Sequence, residues 1–466
     1  MLTTTIHNED LQGTAYQAPQ QANKIYTKYF YIESYGCAMN FADSEVVASI
    51  LQQEGYGITK HLPQANLILV NTCSIREKAE QTVRKRLTEF KQYKRTNPSL
   101  IVGVLGCMAE RLKTQFLEEE KLVDIVVGPD AYRTLPSLIA DADTGQKGVN
   151  VLLSREETYA DITPIRLDSN GVSAFVSIMR GCNNMCSFCV VPFTRGRERS
   201  RPTSSIITEC NQLYLQGYKE VTLLGQNVDS YNYDTTNFAQ LLQLVAESNP
   251  KMRVRFSTSH PKDITDAVLE TMVKHKNICK HIHLPVQSGS SRVLQLMNRT
   301  YTREWYLQRV QKIKELMPNC AITGDVIAGF CTETESDHTE TLTLMQQVGY
   351  EMSYMYYYSE RPGTLAQRQY ADDVALEIKK RRLQEIVDLQ GLLSTKSNMA
   401  DVGKTFEVLI DSTSKKSDLQ WAGRNEHNKV IIFDKSDNKL IKGNLVKVLV
   451  TRANRATLFG SIIDSY

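Results

Sequence analysis

The sequence predicts an α/β protein of three consecutive domains: a doubly wound α/β domain, an open (β/α)6 barrel and a small β-barrel. Strand-like and helix-like segments alternate over most of the chain, and this order is typical of parallel sheets covered by helices on both faces. Near residue 400 the pattern changes to short strands separated by turns rich in Gly, Ser, Asn and Lys, which is typical of a small closed β structure. The length of 466 residues is also too great for one ordinary domain.

Composition and charge restrict the functional class only weakly. The formal net charge of +3 is small, so charge alone does not predict a nucleic-acid partner. Ten cysteines, and a start without the apolar core of a signal peptide, favour a reducing compartment and a metal-binding or catalytic use of thiols. No stretch is long and apolar enough to predict a membrane span. We therefore expect a soluble cytoplasmic protein with no membrane partner, whose residues 1–25 form a disordered tail.

The first domain has cysteines at the ends of its predicted strands. Apolar segments predict strands at 29–32, 67–70, 100–105 and 124–127, with helices at 43–53 and 74–95. The first three strands are followed by Cys37, Cys73 and Cys107. Because the carboxyl ends of parallel strands meet at one edge, these cysteines should converge and could hold an iron–sulfur cluster with one open iron. Three ordinary core cysteines are the alternative. The stretch 141–170 is predicted to be a hairpin or linker.

The central domain opens on a Cys-x3-Cys-x2-Cys run formed by Cys182, Cys186 and Cys189. Three thiolates on one tight loop can hold three corners of a cubane 4Fe–4S cluster, and the fourth iron is then open to a small molecule. Zinc is the alternative, but structural zinc sites usually close with a fourth Cys or His at a recognisable spacing, and none follows here. Three unrelated buried cysteines would have no reason to cluster in this way.

Strands separated by helices surround this run and complete an open (β/α)6 barrel. The strands are predicted at 173–179, 220–224, 253–257, 281–284, 321–327 and 352–358. The active site should lie at their carboxyl ends, by the same logic as in a complete eight-stranded barrel. His260 and His283 could be catalytic, although packed histidines are the commoner case. The other cysteines are expected to be structural: Cys210, Cys279, Cys320 and Cys331.

Four arginines stand at alternate positions just after the cysteine run: Arg195, Arg197, Arg199 and Arg201. The guanidinium fork matches phosphate and carboxylate groups. These four are candidate substrate-binding residues, and we expect at least one to hold a substrate phosphate or the carboxylate of a cofactor. A surface strip of ion pairs with Glu198 is the alternative.

The end of the chain is predicted to be a basic β-barrel. A charged helix at 372–397 precedes short strands at 405–410, 430–433, 445–450 and 457–462, with 421–425 in a loop. Residues 402–466 contain more Lys and Arg than Asp and Glu. Composition alone leaves RNA binding by this barrel undecided.

The cysteine-containing segments resemble the radical S-adenosylmethionine (SAM) methylthiotransferases. The central run, with Phe188 before its third cysteine, matches the signature of radical SAM enzymes, and 180–202 is most similar to the tRNA-modifying branch. Segments around the three N-terminal cysteines are similar to the N-terminal domain of that family, and the C-terminal barrel resembles a TRAM domain, an RNA-binding module. The resemblance implies four parts of the chain: a tail at 1–25, a methylthiotransferase domain at 26–160, a radical SAM barrel at 161–395 and a TRAM-like barrel at 396–466.

The same resemblance implies two 4Fe–4S clusters and SAM as cofactors. One cluster, which binds SAM, would be held by Cys182, Cys186 and Cys189. An auxiliary cluster would be held by Cys37, Cys73 and Cys107. Contacts to SAM are carried over from the family to Gln226, Ser257, Gln287 and Ile327.

The implied reaction is methylthiolation of carbon-2 of N6-isopentenyladenosine at tRNA position 37. Electron transfer would cleave SAM to methionine and a 5′-deoxyadenosyl radical, which would remove the hydrogen and become 5′-deoxyadenosine. A sulfur of the auxiliary cluster, methylated by a second SAM, would then be transferred to that carbon. The implied partners are a tRNA anticodon stem-loop, a low-potential electron donor, and a cluster or sulfur donor. The alternatives are methylthiolation of a ribosomal-protein aspartate or of N6-threonylcarbamoyladenosine in tRNA, and a non-enzymatic RNA-binding electron carrier or cluster scaffold.

Overall fold

The computed structural model describes residues 12–16, 26–74, 77–167, 169–257, 259–435 and 439–465. Most of the predicted disordered tail, residues 1–11 and 17–25, lies outside these residues. The described residues 12–16 pair with the first strand, because the Gly13 and Tyr16 amides donate to the Ser34 and Ile32 carbonyls at 3.1 and 3.2 Å. Tyr16 is also fully buried. For this short segment the prediction of disorder is wrong, since backbone pairing and a buried aromatic ring hold it in place.

The N-terminal domain is a six-stranded parallel sheet with helices on both faces. Its strands are β1 (Lys28–Ser34), β2 (Tyr56–Ile58), β3 (Leu67–Thr72), β4 (Ile101–Gly106), β5 (Ile125–Val127) and β6 (Gly148–Asn150). Its helices are α1 (Ala38–Gln53), α2 (Glu77–Thr96), α3 (Cys107–Leu112), α4 (Thr114–Glu119) and α5 (Leu135–Asp143). The strand order β2-β1-β3-β4-β5-β6, with a separate apolar core on each face, confirms the doubly wound arrangement.

Two parts of this domain differ from the prediction. Helix α1 begins at Ala38 instead of residue 43, because Cys37 already occupies its N-cap position. The stretch 141–170 contains the end of α5 and the edge strand β6, which pairs with β5 in parallel. A hairpin requires antiparallel neighbours, so the predicted hairpin is wrong here. Residues 151–167 lead to the next domain without a helix or strand.

The central domain is an open barrel of six main strands around one apolar core. Its strands are β7 (Ser173–Ser177), β8 (Met179–Arg180), β9 (Arg199–Ser200), β10 (Glu220–Leu224), β11 (Asn232–Tyr233), β12 (Thr236–Asn237), β13 (Arg253–Ser257), β14 (His281–His283), β15 (Ala321–Ala328) and β16 (Met352–Tyr357). Two parallel three-stranded sheets, β7-β10-β13 and β14-β15-β16, are joined by a bridge between Val254 and Ile278. This arrangement confirms the predicted open barrel, with the six strands at their predicted places.

Helices lie between the barrel strands, and two more follow the last of these strands, β16. They are α6 (Val191–Thr194), α7 (Thr203–Leu215), α8 (Phe238–Ser248), α9 (Asp266–Lys274), α10 (Ser291–Leu296), α11 (Arg303–Leu316), α12 (Glu335–Val348), α13 (Leu365–Gln369) and α14 (Leu376–Met399). Helix α10, a short helix after β14, was not predicted from the sequence. Its end accepts hydrogen bonds from the central cysteine loop. Within the described residues, none of the helices combines the length and the apolar character that crossing a membrane requires.

The C-terminal domain is a closed five-stranded barrel. Its strands are β17 (Thr405–Ser414), β18 (Ser417–Arg424), β19 (Val430–Asp434), β20 (Leu445–Ala453) and β21 (Leu458–Ser465), and they close in the order β17-β18-β19-β21-β20. The predicted loop at 421–425 is therefore largely part of strand β18, which is a correction. A Cβ atom on Gly423 would lie 2.3 Å from the Leu409 carbonyl oxygen, so this glycine marks a close approach of two strands.

The C-terminal barrel is attached to the amino-terminal ends of the central strands. Arg253, the first residue of β13, donates to the carbonyls of Arg424 and Glu407 at 2.9 Å each. Arg255 donates to the Asn425 carbonyl at 2.7 Å. These buried guanidiniums place the C-terminal barrel at the end of the central barrel opposite to the predicted active site.

Candidate metal centres at the domain interface

The three N-terminal cysteines lie together at the carboxyl edge of the sheet. Cys37, Cys73 and Cys107 follow β1, β3 and β4, which are adjacent strands although β2 lies between them in the sequence. A Cβ atom on Gly36 would lie only 2.4 Å from the Cβ of Cys73, so the first two loops touch. Burial raises the pKa of Cys107, and the nearby charge of Cys37 raises it further. The predicted convergence of these cysteines is confirmed.

Glycine is required beside this trio. Gly106 has a φ of +89°, and a Cβ there would lie 2.4 Å from Asn71 Oδ1 and 2.6 Å from the Thr72 carbonyl oxygen. Gly145 has almost the same φ, +88°, but no atom lies within 4 Å of the corresponding Cβ position. Both positions therefore have a positive φ, but Gly106, with a ψ of −157°, lies in a region almost reserved for glycine and is also crowded.

We expect Gly106→Ala to destabilise the protein much more than Gly145→Ala. A positive φ costs either variant about 1–2 kcal/mol, and at Gly106 alone overpacking adds roughly 1–3 kcal/mol to the strain of its unusual ψ. Urea unfolding of the metal-free variants measures both losses, with Gly145→Ala as the matched control. Equal losses would show that the contacts to Asn71 and Thr72 do not constrain this loop.

The central cysteine run is a loop fixed by hydrogen bonds to two other segments. The Cys182 amide donates to the Gly196 carbonyl at 3.1 Å. The Ser187 amide and hydroxyl donate to the carbonyls of Met297 and Leu296 at 3.0 and 2.8 Å, at the end of α10. Helix α10 thus positions a loop that the sequence showed only as a cysteine pattern.

The thiols of this loop are close enough to affect one another. Burial, followed by the charge of Cys186, raises the pKa of Cys189 to about 12. Burial also raises the pKa of Cys182 to about 12. Thiols in this environment are protonated at neutral pH, so binding of a metal centre must release their protons.

Each trio has one buried arginine that donates to a cysteine sulfur. Arg195 Nε lies 3.2 Å from Cys107 Sγ. Arg299 Nη1 lies 3.2 Å from Cys186 Sγ. Arg299 was not among the residues predicted from the sequence. Its position shortly after the end of a predicted barrel strand was the only sequence signal for it.

These buried cations suit a negatively charged group. Arg299 otherwise contacts the Tyr301 hydroxyl and the Pro285 carbonyl, and among the residues that the structure describes no carboxylate pairs with it. An isolated buried charge is costly unless another charge compensates it. Three thiolates on a 4Fe–4S core carry a net negative charge, so the donor set fits such a cluster.

A buried ionic network joins the segments that flank the two trios. Asp43 accepts from Arg180 at 2.6 Å through Oδ1 and from Arg195 at 2.9 Å through Oδ2. Asp130 accepts from Arg199 at 2.8 Å. Both carboxylates belong to the N-terminal domain, and all three arginines belong to the central domain. Three guanidiniums thus face two carboxylates, and the excess positive charge lies beside Cys107.

The four arginines after the cysteine run have different environments. Arg195, Arg199 and Arg201 are buried in ion pairs with Asp43, Asp130 and Glu209, respectively. Their guanidiniums are therefore committed to linking the domains and the core, and the substrate-binding role predicted for these three is not supported. Arg197 is exposed, and its contact with substrate stays a prediction.

The four residues assigned to SAM lie at the carboxyl ends of the central strands. Gln226 follows β10, Ser257 ends β13, Gln287 follows β14 and Ile327 lies near the end of β15. Gln287 has a φ of 75°, a conformation that non-glycine residues rarely adopt and that is enriched at ligand sites. The buried Gln226 Oε1 has no partner among the described residues. This placement is compatible with a ligand, and the individual contacts stay predictions.

The two histidines near these ends are packed. His260 stacks edge-on against Tyr301, with ring centroids 5.7 Å apart, and burial with the charge of Arg299 lowers its pKa to about 2. His283 Nδ1 lies 3.1 Å from the Thr323 hydroxyl. His260 is therefore neutral at physiological pH. Cys210, Cys279, Cys320 and Cys331 are buried, in agreement with a structural role.

No three or more His, Cys, Asp or Glu side chains in the described ranges are arranged to hold a single metal ion. In a cubane each thiolate binds a different iron, so the sulfur atoms must stand further apart than around one ion.

Three family models match consecutive parts of the chain. "Uncharacterized protein family UPF0004" matches residues 29–128, "Radical SAM superfamily" matches 176–345, and "TRAM domain" matches 400–463. The three ranges lie within the N-terminal domain, the open barrel and the C-terminal domain, respectively.

Similar proteins cover nearly the whole chain. A tRNA-2-methylthio-N(6)-dimethylallyladenosine synthase of Amoebophilus asiaticus is 62% identical over 452 residues, covering 94% of this chain and 93% of its own. The protein of the same name from Christiangramia forsetii is 57% identical, with 98% of each chain covered. Among solved structures, the radical SAM methyltransferase TsrM from Kitasatospora setae is similar with a TM-score of 0.54 at 13% identity, covering 73% of this chain and 74% of TsrM. At that identity the structural similarity concerns the fold alone.

Proposed function

Because the chain belongs to the family of tRNA-2-methylthio-N(6)-dimethylallyladenosine synthases, we propose that it methylthiolates carbon-2 of N6-isopentenyladenosine at tRNA position 37. The chain is a radical SAM enzyme and a transferase that modifies tRNA. Its cofactors are SAM and two 4Fe–4S clusters. The names of its relatives favour the isopentenylated base over the threonylcarbamoylated one and over a ribosomal protein.

Six cysteines would hold the clusters. Cys182, Cys186 and Cys189 would hold the cluster that binds SAM, and Cys37, Cys73 and Cys107 the auxiliary cluster. When bound, these groups supply the electron, the abstraction of the hydrogen atom and the sulfur. The residues of the chain bind and orient them and keep water out.

The observation that carries the proposal is the buried ionic contact between segments that flank the two trios. Sulfur insertion requires that both centres lie close to the same carbon of one base. Arg180, two residues before Cys182, and Arg195, six residues after Cys189, both bind Asp43 on α1, the helix that Cys37 caps. These charged hydrogen bonds hold the two cysteine loops in one orientation, which lowers the entropic cost of bringing the reacting groups together.

The SAM-binding end of the barrel is proposed to use neutral polar groups. Gln226, Ser257 and Gln287 would bind polar parts of SAM, while Ile327 would contact an apolar part. His260 stays neutral there and can hydrogen-bond without exchanging a proton at physiological pH. Arg197, the exposed arginine of the four, would contact a substrate phosphate.

The TRAM barrel is proposed to bind tRNA away from the reacting base. Its surface carries Lys435 4.1 Å above the Trp421 ring and Arg452 3.9 Å above the Phe459 ring. Cation–aromatic pairs of this kind suit phosphates and stacked bases. The barrel lies at the amino-terminal ends of the strands, so the anticodon stem-loop would extend past the central barrel to the cysteines. A loop base can be unstacked at low cost.

The remaining partners follow from the reaction. A low-potential electron donor must reduce the cluster on the central trio, and a cluster or sulfur donor must restore the auxiliary centre after turnover. Both are proposed on chemical grounds. A tRNA substrate also supports the cytoplasm as the proposed location of the enzyme.

Anaerobic incubation with defined RNAs tests the proposal. The protein with both clusters, SAM and a strong reductant is mixed with anticodon stem-loops that carry N6-isopentenyladenosine, N6-threonylcarbamoyladenosine or unmodified adenosine at position 37. We expect mass analysis of nucleosides to find the 2-methylthio product only from the isopentenylated RNA. A product from the threonylcarbamoylated RNA, or none from any RNA while SAM is cleaved, would contradict the assigned substrate.

A further inference from the structure

We infer that Arg195 is a positioning residue for the auxiliary centre, which tunes its reduction potential through a hydrogen bond to the Cys107 sulfur across the domain interface. The inference rests on the proposed assignment of a cluster to Cys37, Cys73 and Cys107. Arg195 belongs to the central domain and Cys107 to the N-terminal domain, so this hydrogen bond crosses the interface between them.

The guanidinium of Arg195 is buried and only partly used. The side chain is 3% exposed. Its Nε donates to Cys107 Sγ at 3.2 Å, and its Nη2 donates to Asp43 Oδ2 at 2.9 Å. Its Nη1 is buried and has no partner among the described residues. A buried guanidinium nitrogen without a partner is costly, so this donor is available to a further sulfur when the cluster is present.

Asp43 fixes the orientation of this guanidinium. Its other oxygen accepts two bonds from Arg180, at 2.7 and 2.6 Å, and the carboxylate is fully buried. Asp43 lies in α1, which Cys37 caps, and Cys107 begins α3. Arg195 therefore contacts the helices that carry two of the three proposed cluster ligands.

A cation and a hydrogen bond at a ligand sulfur favour the reduced form of a cluster. Reduction adds negative charge, and potentials of iron–sulfur centres rise with positive charge nearby and with hydrogen bonds to sulfur. Removing Arg195 should therefore lower the reduction potential of the auxiliary centre, while Lys would retain the charge and lose the planar fork.

Two other arginines provide matched controls. Arg199 is buried in the same network and bound to Asp130 at 2.8 Å, but none of its hydrogen bonds reaches a cysteine. Arg199→Gln should weaken the interface as Arg195→Gln does, but it should shift the potential much less, because it removes a charge without removing a hydrogen bond to sulfur. Arg299 makes the equivalent contact to Cys186 at the other trio. Arg299→Gln should alter only the SAM-binding cluster.

The test is a redox titration of the full-length protein, followed by electron paramagnetic resonance. Variants at Arg195 and Arg199 are compared in a background with Cys182, Cys186 and Cys189 all replaced by Ala, so that only the auxiliary centre is observed. At the potential where the parent is half reduced, we expect Arg195→Gln to lower the ratio of reduced to oxidised centre by about tenfold or more. The ratio for Arg195→Lys should fall between those of the parent and Arg195→Gln, and the ratio for Arg199→Gln should stay much closer to that of the parent than to that of Arg195→Gln.

Arg299→Gln is examined in the complementary background, with Cys37, Cys73 and Cys107 replaced by Ala. There the potential of the SAM-binding cluster should shift. An unshifted auxiliary potential in Arg195→Gln at full iron content would overturn the inference, as would an equal shift in Arg199→Gln. If Arg195→Gln loses its iron, Arg195→Lys is titrated instead: a lowered auxiliary potential in this variant supports the inference, and an unshifted one overturns it. Because no RNA is used, this test can fail while the methylthiolation assay succeeds, and the reverse also holds.

Discussion

Replacing Cys182 with alanine should lower the cleavage of SAM by at least about a hundredfold, since losing a direct ligand costs more than losing an outer-sphere partner, which is worth roughly 10–100-fold. Cys182 is one of only three thiols on the central loop, and it follows β8 through a glycine with a φ of +77°. Without it the loop retains two ligands, too few for a cubane with one open iron. The measurement is 5′-deoxyadenosine formed per chain under strong reductant.

Cys210→Ala is the matched control for this experiment. Cys210 lies on α7 in the apolar core and is fully buried. Removing its sulfur should cost about 1 kcal/mol of stability and leave 5′-deoxyadenosine formation unchanged. Cleavage of SAM by Cys182→Ala at the rate of the parent would show that the central run is not the site of this reaction.

Replacing Cys37 with alanine should leave SAM cleavage within about twofold of the parent and reduce the methylthio product to background. The reason is that SAM cleavage needs only the cluster on the central trio, whereas the sulfur comes from the auxiliary cluster, which loses a ligand in this variant. Cys37 belongs to the trio on the N-terminal sheet, and it takes no part in the hydrogen bonds that the central loop donates to the carbonyls of Gly196, Leu296 and Met297. Both products are measured in the same reaction with the isopentenylated stem-loop.

A serine variant separates ligation from helix capping in this prediction. The Cys37 side chain takes part in the capping box of α1 with Asn40. Serine caps helices well, so Cys37→Ser should keep the helix and still lose the product. Normal amounts of product from either variant would refute the assignment of an auxiliary cluster to this trio.

The convergence of the N-terminal cysteines could be predicted because each of them follows a strand of a predicted parallel sheet. The cysteines follow successive predicted strands at intervals of one βα unit, and carboxyl ends of parallel strands share an edge. Strand β2 escaped prediction because three residues are too few for a pattern. It joins at the outer side of β1 and so leaves β1, β3 and β4 adjacent.

The ionic interface could not be predicted from the sequence. Alternate arginines suggested an exposed strip, yet Arg195 pairs with Asp43 152 positions away and Arg199 pairs with Asp130 69 positions away. The partners of a buried charge come from the packing of whole domains. Charge pattern alone does not reveal them, and the same is true of the contact between Arg299 and Cys186.

Strand β18 was missed for a local reason. Gly423 and Asn425 are typical of loops, and the sequence analysis therefore placed 421–425 in one. In the barrel, β17 passes so close to Gly423 that any side chain there would meet the Leu409 carbonyl. The glycine was required by a neighbouring strand, which the sequence of its own segment does not show.

Iron content with Mössbauer spectroscopy tests most directly whether two cysteine trios hold two separate clusters. After anaerobic reconstitution the parent should bind about eight irons per chain, and the variant with Cys37, Cys73 and Cys107 replaced by Ala about four, all in cubane centres. The variant lacking the central trio should likewise bind about four. A parent with about four irons per chain, or an N-terminal variant that retains the full content of the parent, would contradict the account.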